Sequence, residues 1–235
     1  MTKSVMRSAM SYFTPAFLGL AFVVAPVLAG CATPGTNPHD MSAAGHELAA
    51  AKEEAAGRCP PGASASAPCW TALKSYQQKA AEHRAAGQAL RDAEAKACSG
   101  VPDYDRNVSP FLHSEDIEQV APLNVPASYG GEGQIPSEGS TVFKGAVISF
   151  RPVRGLTQEW LQRVIDCHLA RNAVLGHDLA EMPDCPLVPK GVTAQAKSAG
   201  GHFVVEVSSD DPATAQEVWR RAQRLVPSSR VSAKQ

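Results

Sequence analysis

The sequence predicts an α+β protein: two N-terminal helices folded as a hairpin, a linker, and a small C-terminal domain of alternating strands and helices. Three observations carry this. Residues 41–58 and 70–98 are dominated by Ala, Glu, Lys, Gln and Arg, which cost little in a helix, and a Pro/Gly bend separates them. Residues 141–226 switch hydrophobic period between two and three-to-four in the order β-α-β-β-α. Between these regions, 99–140 collects Pro102, Pro110, Pro122, Pro126 and Pro136 with Gly130, Gly131, Gly133 and Gly139.

The chain opens with Lys3 and Arg7, then a mostly apolar run from Phe13 to Leu28, then Leu28-Ala29-Gly30-Cys31. A positive start, an apolar core and small residues at the end describe a secretory signal. Pro15 and Pro26 within the run disfavour its retention as a membrane anchor. The last four residues resemble the lipobox of bacterial lipoprotein precursors at every position. That resemblance covers residues 1–31 only. It implies removal of 1–30 as a signal peptide and attachment of lipid, palmitate among its acyl chains, to Cys31. With Ala32 following, it also implies the outer membrane, with the body in the periplasm. Several buried acyl chains would anchor the protein firmly, and an oxidising compartment would favour disulfides.

Residues 31–40 form a polar tether with Pro34, Gly35 and Pro38. The hairpin follows at 41–98, bent at 59–69, CysProProGlyAlaSerAlaSerAlaProCys. On its second helix Leu73, Tyr76, Ala80, His83, Gly87, Leu90 and Ala97 recur in a coiled-coil type of seam, poor in large side chains. The hairpin alone is therefore marginal and would profit from a staple or a partner. In the linker, 99–140, Ser114-Glu115-Asp116 starts a short helix expected to run to Val120, and the glycine-rich second half is expected to be mobile.

The C-terminal domain, 141–235, begins with a strand from Val142 to Phe150, placing Val142, Ala146, Ile148 and Phe150 on one face. Thr157 caps a helix to about Leu175 whose apolar stripe is Leu161, Val164, Ile165, His168 and Leu169. Val192, Ala194 and Ala196 alternate in a second strand, Ala199-Gly200-Gly201 turns, and Phe203, Val205 and Val207 alternate in a third. Asp211-Pro212 opens the last helix, with Ala215, Val218, Trp219, Ala222, Leu225 and Val226 inward. The order matches the ferredoxin-like split unit without its final strand, which Arg230-Val231-Ser232 is placed to supply.

The chemistry is mostly exclusion. There is no G-x-S-x-G, H-E-x-x-H or phosphate-binding G-x-x-x-x-G-K-[ST]. Asp103, Asp105 and Asn107 imitate the start of a calcium loop, but Val108 and Ser114 occupy the positions that need glycine and a bidentate glutamate. The metal-binding version of the ferredoxin-like fold carries C-x-x-C on its first loop, and residues 151–157 here hold no cysteine. A net charge of −1 and the envelope compartment disfavour nucleic acid as a partner.

Of six cysteines, Cys31 is assigned to lipid. Cys59 and Cys69 flank the bend and are expected to pair. Cys167 and Cys185 share the stretch DCHLARNAVLGHDLAEMPDC and are expected to staple a helix to its following loop. Cys98, roughly 43 Å from Cys69 along a straight helix, is left as the odd thiol, free or paired outside the chain. The alternative for the same stretch is a copper or zinc site built from Cys167, His177, Met182 and Cys185. His46 and His83 sit level across the hairpin. Yet His46 lies about 200° around its helix from Leu48, so it is expected to point away from the seam and share no metal.

The resulting expectation is a non-enzymatic, lipid-anchored envelope protein. Its partner would be another envelope protein or the cell wall, and it would hold no cofactor. The alternative is a soft-metal binding or sensing lipoprotein.

Overall fold

A computed structural model describes residues 41–64, 66–126, 140–177 and 182–227. The signal, the lipobox with Cys31, the tether, the glycine-rich part of the linker and residues 230–232 lie outside the described residues.

Helix α1 spans Ala43–Ala56 and α2 spans Pro68–Ala97. The Ser42 side chain caps α1 by accepting the Gly45 N–H at 2.9 Å. Pro68 occupies the first turn of α2, where its missing N–H costs nothing. The two helices pack through small residues: Ala43 and Ala50 of α1 and Ala80 and Gly87 of α2 are buried. A Cβ on Gly87 would come within 3.2 Å of both the Ala43 carbonyl oxygen and the His46 Cβ, so glycine sets how closely the helices approach. Ion pairs Arg84–Glu54 at 2.6 Å and Arg91–Glu47 at 2.8 Å bracket the contact, but their exposure makes them worth little.

After α2 comes a five-residue helix α3, Asp103–Asn107, then a 3-10 turn at Ser114–Asp116. Strand β1, Ile117–Pro126, follows directly. The expected helix through Val120 stops at Asp116, and this half of the expected linker is an edge of the sheet. Strands β2 (Thr141–Phe150), β3 (Val192–Ala199) and β4 (His202–Ser209) complete a four-stranded antiparallel sheet in the order β1-β2-β4-β3. One cross-sheet row reads Val120, Ile148, Val205, Ala196, all buried. Pro122 and Pro126 fit an edge strand, where a missing N–H breaks no ladder on the open side.

Gly145 is the tight point of the sheet. Its φ of 143° is open to glycine, and a Cβ there would lie 2.2 Å from the Val207 carbonyl oxygen. The neighbouring register shift, between Leu123 and Asn124 of β1, marks a bulge. The bulge changes the alternation, and Val142, expected inward, is 43% exposed.

Helices α4 (Gln158–Leu175) and α5 (Pro212–Arg224) cover the sheet. Thr157 accepts the Trp160 N–H and Asp211 the Thr214 N–H, so both caps stand where the sequence puts them. The main core joins Ile117, Ile148, Phe150, Ile165, Leu187 and Val218. The opposite face of the sheet carries the Lys197–Glu206 and Thr193–Ser208 contacts, the one-sided burial common in antiparallel sheets. Helix α4 is buried on both sides. Leu161 and Ile165 face the sheet, whereas Val164 and Cys167 join Cys98 and Val101 in a second cluster. Among the described residues, no helix is long and apolar enough to cross a membrane.

Candidate functional site

The cysteines organise the molecule into an arm and a body. Cys59 and Cys69 are bonded, with α-carbons 5.5 Å apart, and close the bend between α1 and α2. The second bond joins Cys98 to Cys167, with α-carbons 4.5 Å apart. Two expectations are corrected here: Cys98 is not the odd thiol, and Cys167 does not pair with Cys185. The expectation measured Cys98 only against the bend. The end of α2, however, lies against the middle of α4, where Cys98 and Cys167 are both fully buried.

Cys185 is the free cysteine among the described residues. It sits 3% exposed in the main core and accepts the Ser109 hydroxyl at 3.4 Å. Burial pushes its thiol above the ordinary cysteine range, so it stays protonated and inert. The loop it belongs to is held to α4 without sulfur. The Asn172 side-chain amide donates to the Leu187 carbonyl at 2.8 Å, and His177 bonds the Val188 carbonyl through Nδ1 at 2.9 Å. Gly176, left-handed at φ 79°, ends the helix and starts that return.

The alternative metal set fares accordingly. Cys167 has its sulfur in a disulfide, Cys185 keeps its proton, His177 is bound to backbone, and Met182 packs partly buried against the core. These four do not form a ligand set. Among the described residues, no three His, Cys, Asp or Glu side chains converge as a metal site. His168, fully buried, bonds the Asp105 carbonyl through Nε2 at 2.8 Å, and burial lowers its pKa, holding it neutral. It ties α3 to α4.

The arm differs from expectation in one face. Leu48, taken as a seam residue, is 73% exposed, whereas His46 is 5% exposed and faces α2. Its Nδ1 lies 3.2 Å from Nδ1 of His83. The inward stripe of α1 is Ala43, His46 and Ala50, so small residues rather than the one leucine define it. Close approach at Gly87 outweighs the burial one leucine would give.

At the far end of the arm the closed bend presents a cleft of about 640 Å³ lined by Arg58, Pro60, Pro61, Trp70, Leu73 and Tyr76. Trp70 is 49% exposed. The sequence signal for it is a tryptophan beside a cysteine at the start of a polar helix. A second cleft, about 1050 Å³ and polar, lies between the end of α2, α4 and the edge of β3. There the Gln162 side chain accepts the Ala196 N–H at 2.6 Å and donates to the Ala194 carbonyl at 3.2 Å. It stands in for a neighbouring strand and blunts that edge.

Among the described residues, the arrangement is a stapled arm, a half-exposed tryptophan at its tip and a core thiol held protonated. Compared with family models, curated proteins and solved structures, the chain matches none.

Proposed function

We propose that this protein is an envelope lipoprotein, lipidated at Cys31 on the outer membrane and facing the periplasm, that binds an envelope protein or the cell wall without catalysing a reaction. In this reading α1 and α2 form a helical hairpin used as a reaching arm. The sheet and its two helices form a ferredoxin-like body, in which β1 takes the edge that a C-terminal strand would otherwise fill. The anchor rests on Leu28-Ala29-Gly30-Cys31.

The observation that carries the binding reading is the position of Trp70. The arm's ties to the body lie at its base: Cys98–Cys167, Glu94–Arg171 and Ser42 against Gly176. Trp70 stands about 42 Å along α2 from Cys98. A half-exposed tryptophan on a covalently closed bend can bury much area at little ordering cost, which is the chemistry of an interface anchor. The soft-metal alternative through Cys167, His177, Met182 and Cys185 loses its first thiolate to Cys98.

The test is capture of the lipidated protein from its own envelope, wild type beside Trp70→Ala and Cys31→Ser. The reading expects labelled fatty acid in the first two only, and a co-purifying protein or glycan lost with Trp70→Ala. Lipid on Cys31→Ser would overturn the anchor, and equal capture by Trp70→Ala would overturn the arm.

A further inference from the structure

His46 and His83 are placed for more than packing. One sits on each helix of the arm, with Nδ1 atoms 3.2 Å apart, ring centroids 5.4 Å apart and planes tilted by 47°. They meet because Gly87 has no side chain to hold the helices apart beside His46. Two nitrogens each about 2.05 Å from one ion and 3.2 Å from each other subtend roughly 103° at it, between the square-planar and tetrahedral angles. The centroid spacing of 5.4 Å is that of two rings aimed nearly straight at each other, as the hydrogen bond requires, so each ring turns by about 20° to aim its Nδ1 at a shared ion and bring the centres to about 5 Å.

We propose that His46 and His83 together bind one divalent transition-metal ion of the zinc, nickel or copper(II) class, and that the ion clamps α1 to α2. Imidazole nitrogen suits these ions, whereas calcium and magnesium take oxygen. Without metal, one Nδ1 carries a hydrogen and donates it to the other. Binding needs both Nδ1 lone pairs, so the donor ring moves its proton to Nε2 and both rings stay neutral. Among the described residues no group of three ligand-type side chains is found, and water can take positions that the protein leaves open. His83 is part-exposed, which lets that water in. The nearest ion pairs, Glu47–Arg91 and Glu54–Arg84, are each internally compensated and neither repel nor trap a cation. The other described histidines are engaged elsewhere: His113 with Glu115, His168 with Asp105, His177 with Val188 and His202 with Glu118. This site shares no residue with the Cys167 set, and it does not rest on the lipid anchor or on any partner.

The experiment is calorimetric titration of the tag-free mature chain with zinc chloride and with nickel chloride near neutral pH, joined to electron paramagnetic resonance of the copper(II) form. The wild type should bind one equivalent, and the copper spectrum should show two imidazole nitrogens. His83→Asn should weaken binding at least tenfold while keeping wild-type helicity, and His113→Ala should leave it unchanged. His46→Ala removes a buried side chain, so helicity is measured with it and His83→Asn decides if it unfolds. No stoichiometric binding by the wild type would mean a hydrogen-bonded pair of packed histidines and would overturn the proposal. Unchanged affinity in His83→Asn, or a copper spectrum with one nitrogen, would do the same.

Discussion

Removing the Cys98–Cys167 bond tests the architecture at its junction. The bond spans a sequence separation of 69 and joins the base of the arm to α4. Loop-closure entropy alone assigns such a cross-link about 4.4 kcal/mol, against about 2.8 kcal/mol for the shorter Cys59–Cys69 loop. Both sulfurs are buried, so Cys98→Ala with Cys167→Ala also leaves a small cavity costing on the order of 1 kcal/mol. The double variant should therefore lose about 5–6 kcal/mol in urea unfolding followed by circular dichroism. Cys185→Ala should lose only about 1 kcal/mol, since it removes one buried sulfur and the Ser109 contact. If Cys167 were instead bonded to Cys185, Cys185→Ala would cost about 3 kcal/mol through the loss of that shorter loop. Alkylation in denaturant without reductant gives an independent reading, done in the Cys31→Ser background. The account requires Cys185 to be labelled and Cys98 to be protected. Labelled Cys98, or a Cys185→Ala loss matching the double variant, refutes it.

Three further outcomes follow from other parts of the molecule. Gly145→Ala should cost about 3 kcal/mol or more, because the left-handed φ and the 2.2 Å approach to the Val207 carbonyl oxygen both oppose a Cβ; a midpoint in urea close to wild type would refute the bulge. The Arg220 and Arg221 guanidiniums hold the Glu217 carboxyl down to about 2, so its contribution to stability is fully present above the ordinary glutamate range and is lost as pH falls from about 4.5 toward 2. Glu217→Gln should flatten that acid limb. The effect should be modest and salt-sensitive because the carboxylate is 31% exposed, and an unchanged slope would contradict it. Gly87→Val should loosen the arm alone, with faster amide exchange in α1 and unchanged exchange in β2 and β4; uniform exchange change would contradict separate arm packing.

Much of the body is legible in the sequence, because its elements carry local signals that tertiary packing supports. Thr157 before the stripe of α4, Asp211-Pro212 before α5, and the Gly200-Gly201 turn between two alternating strands each name their element directly. Strand β1 carries no such signal. Its buried residues are Ile117, Val120 and Leu123, spaced by three, and register shifts after Ile117 and after Leu123 interrupt its pairing with β2. A period of three with two prolines reads as linker. The arm's inward face was hidden for another reason. The usual guide is the large apolar residue, but here Leu48 faces water and alanine, glycine and histidine make the contact. The disulfide pairing depended on where α2 lands, and nothing in the spacing of Cys98 and Cys167 records that crossing.

The most direct measurement of the central claim is photo-crosslinking in intact cells with a photoreactive amino acid at position 70. The same probe at position 104, where Tyr104 is 60% exposed on the body, serves as the comparison. The account predicts one discrete adduct, protein or glycan, at position 70 and little at position 104. Adducts of equal yield at both positions, or none at position 70, would contradict the arm as the working surface.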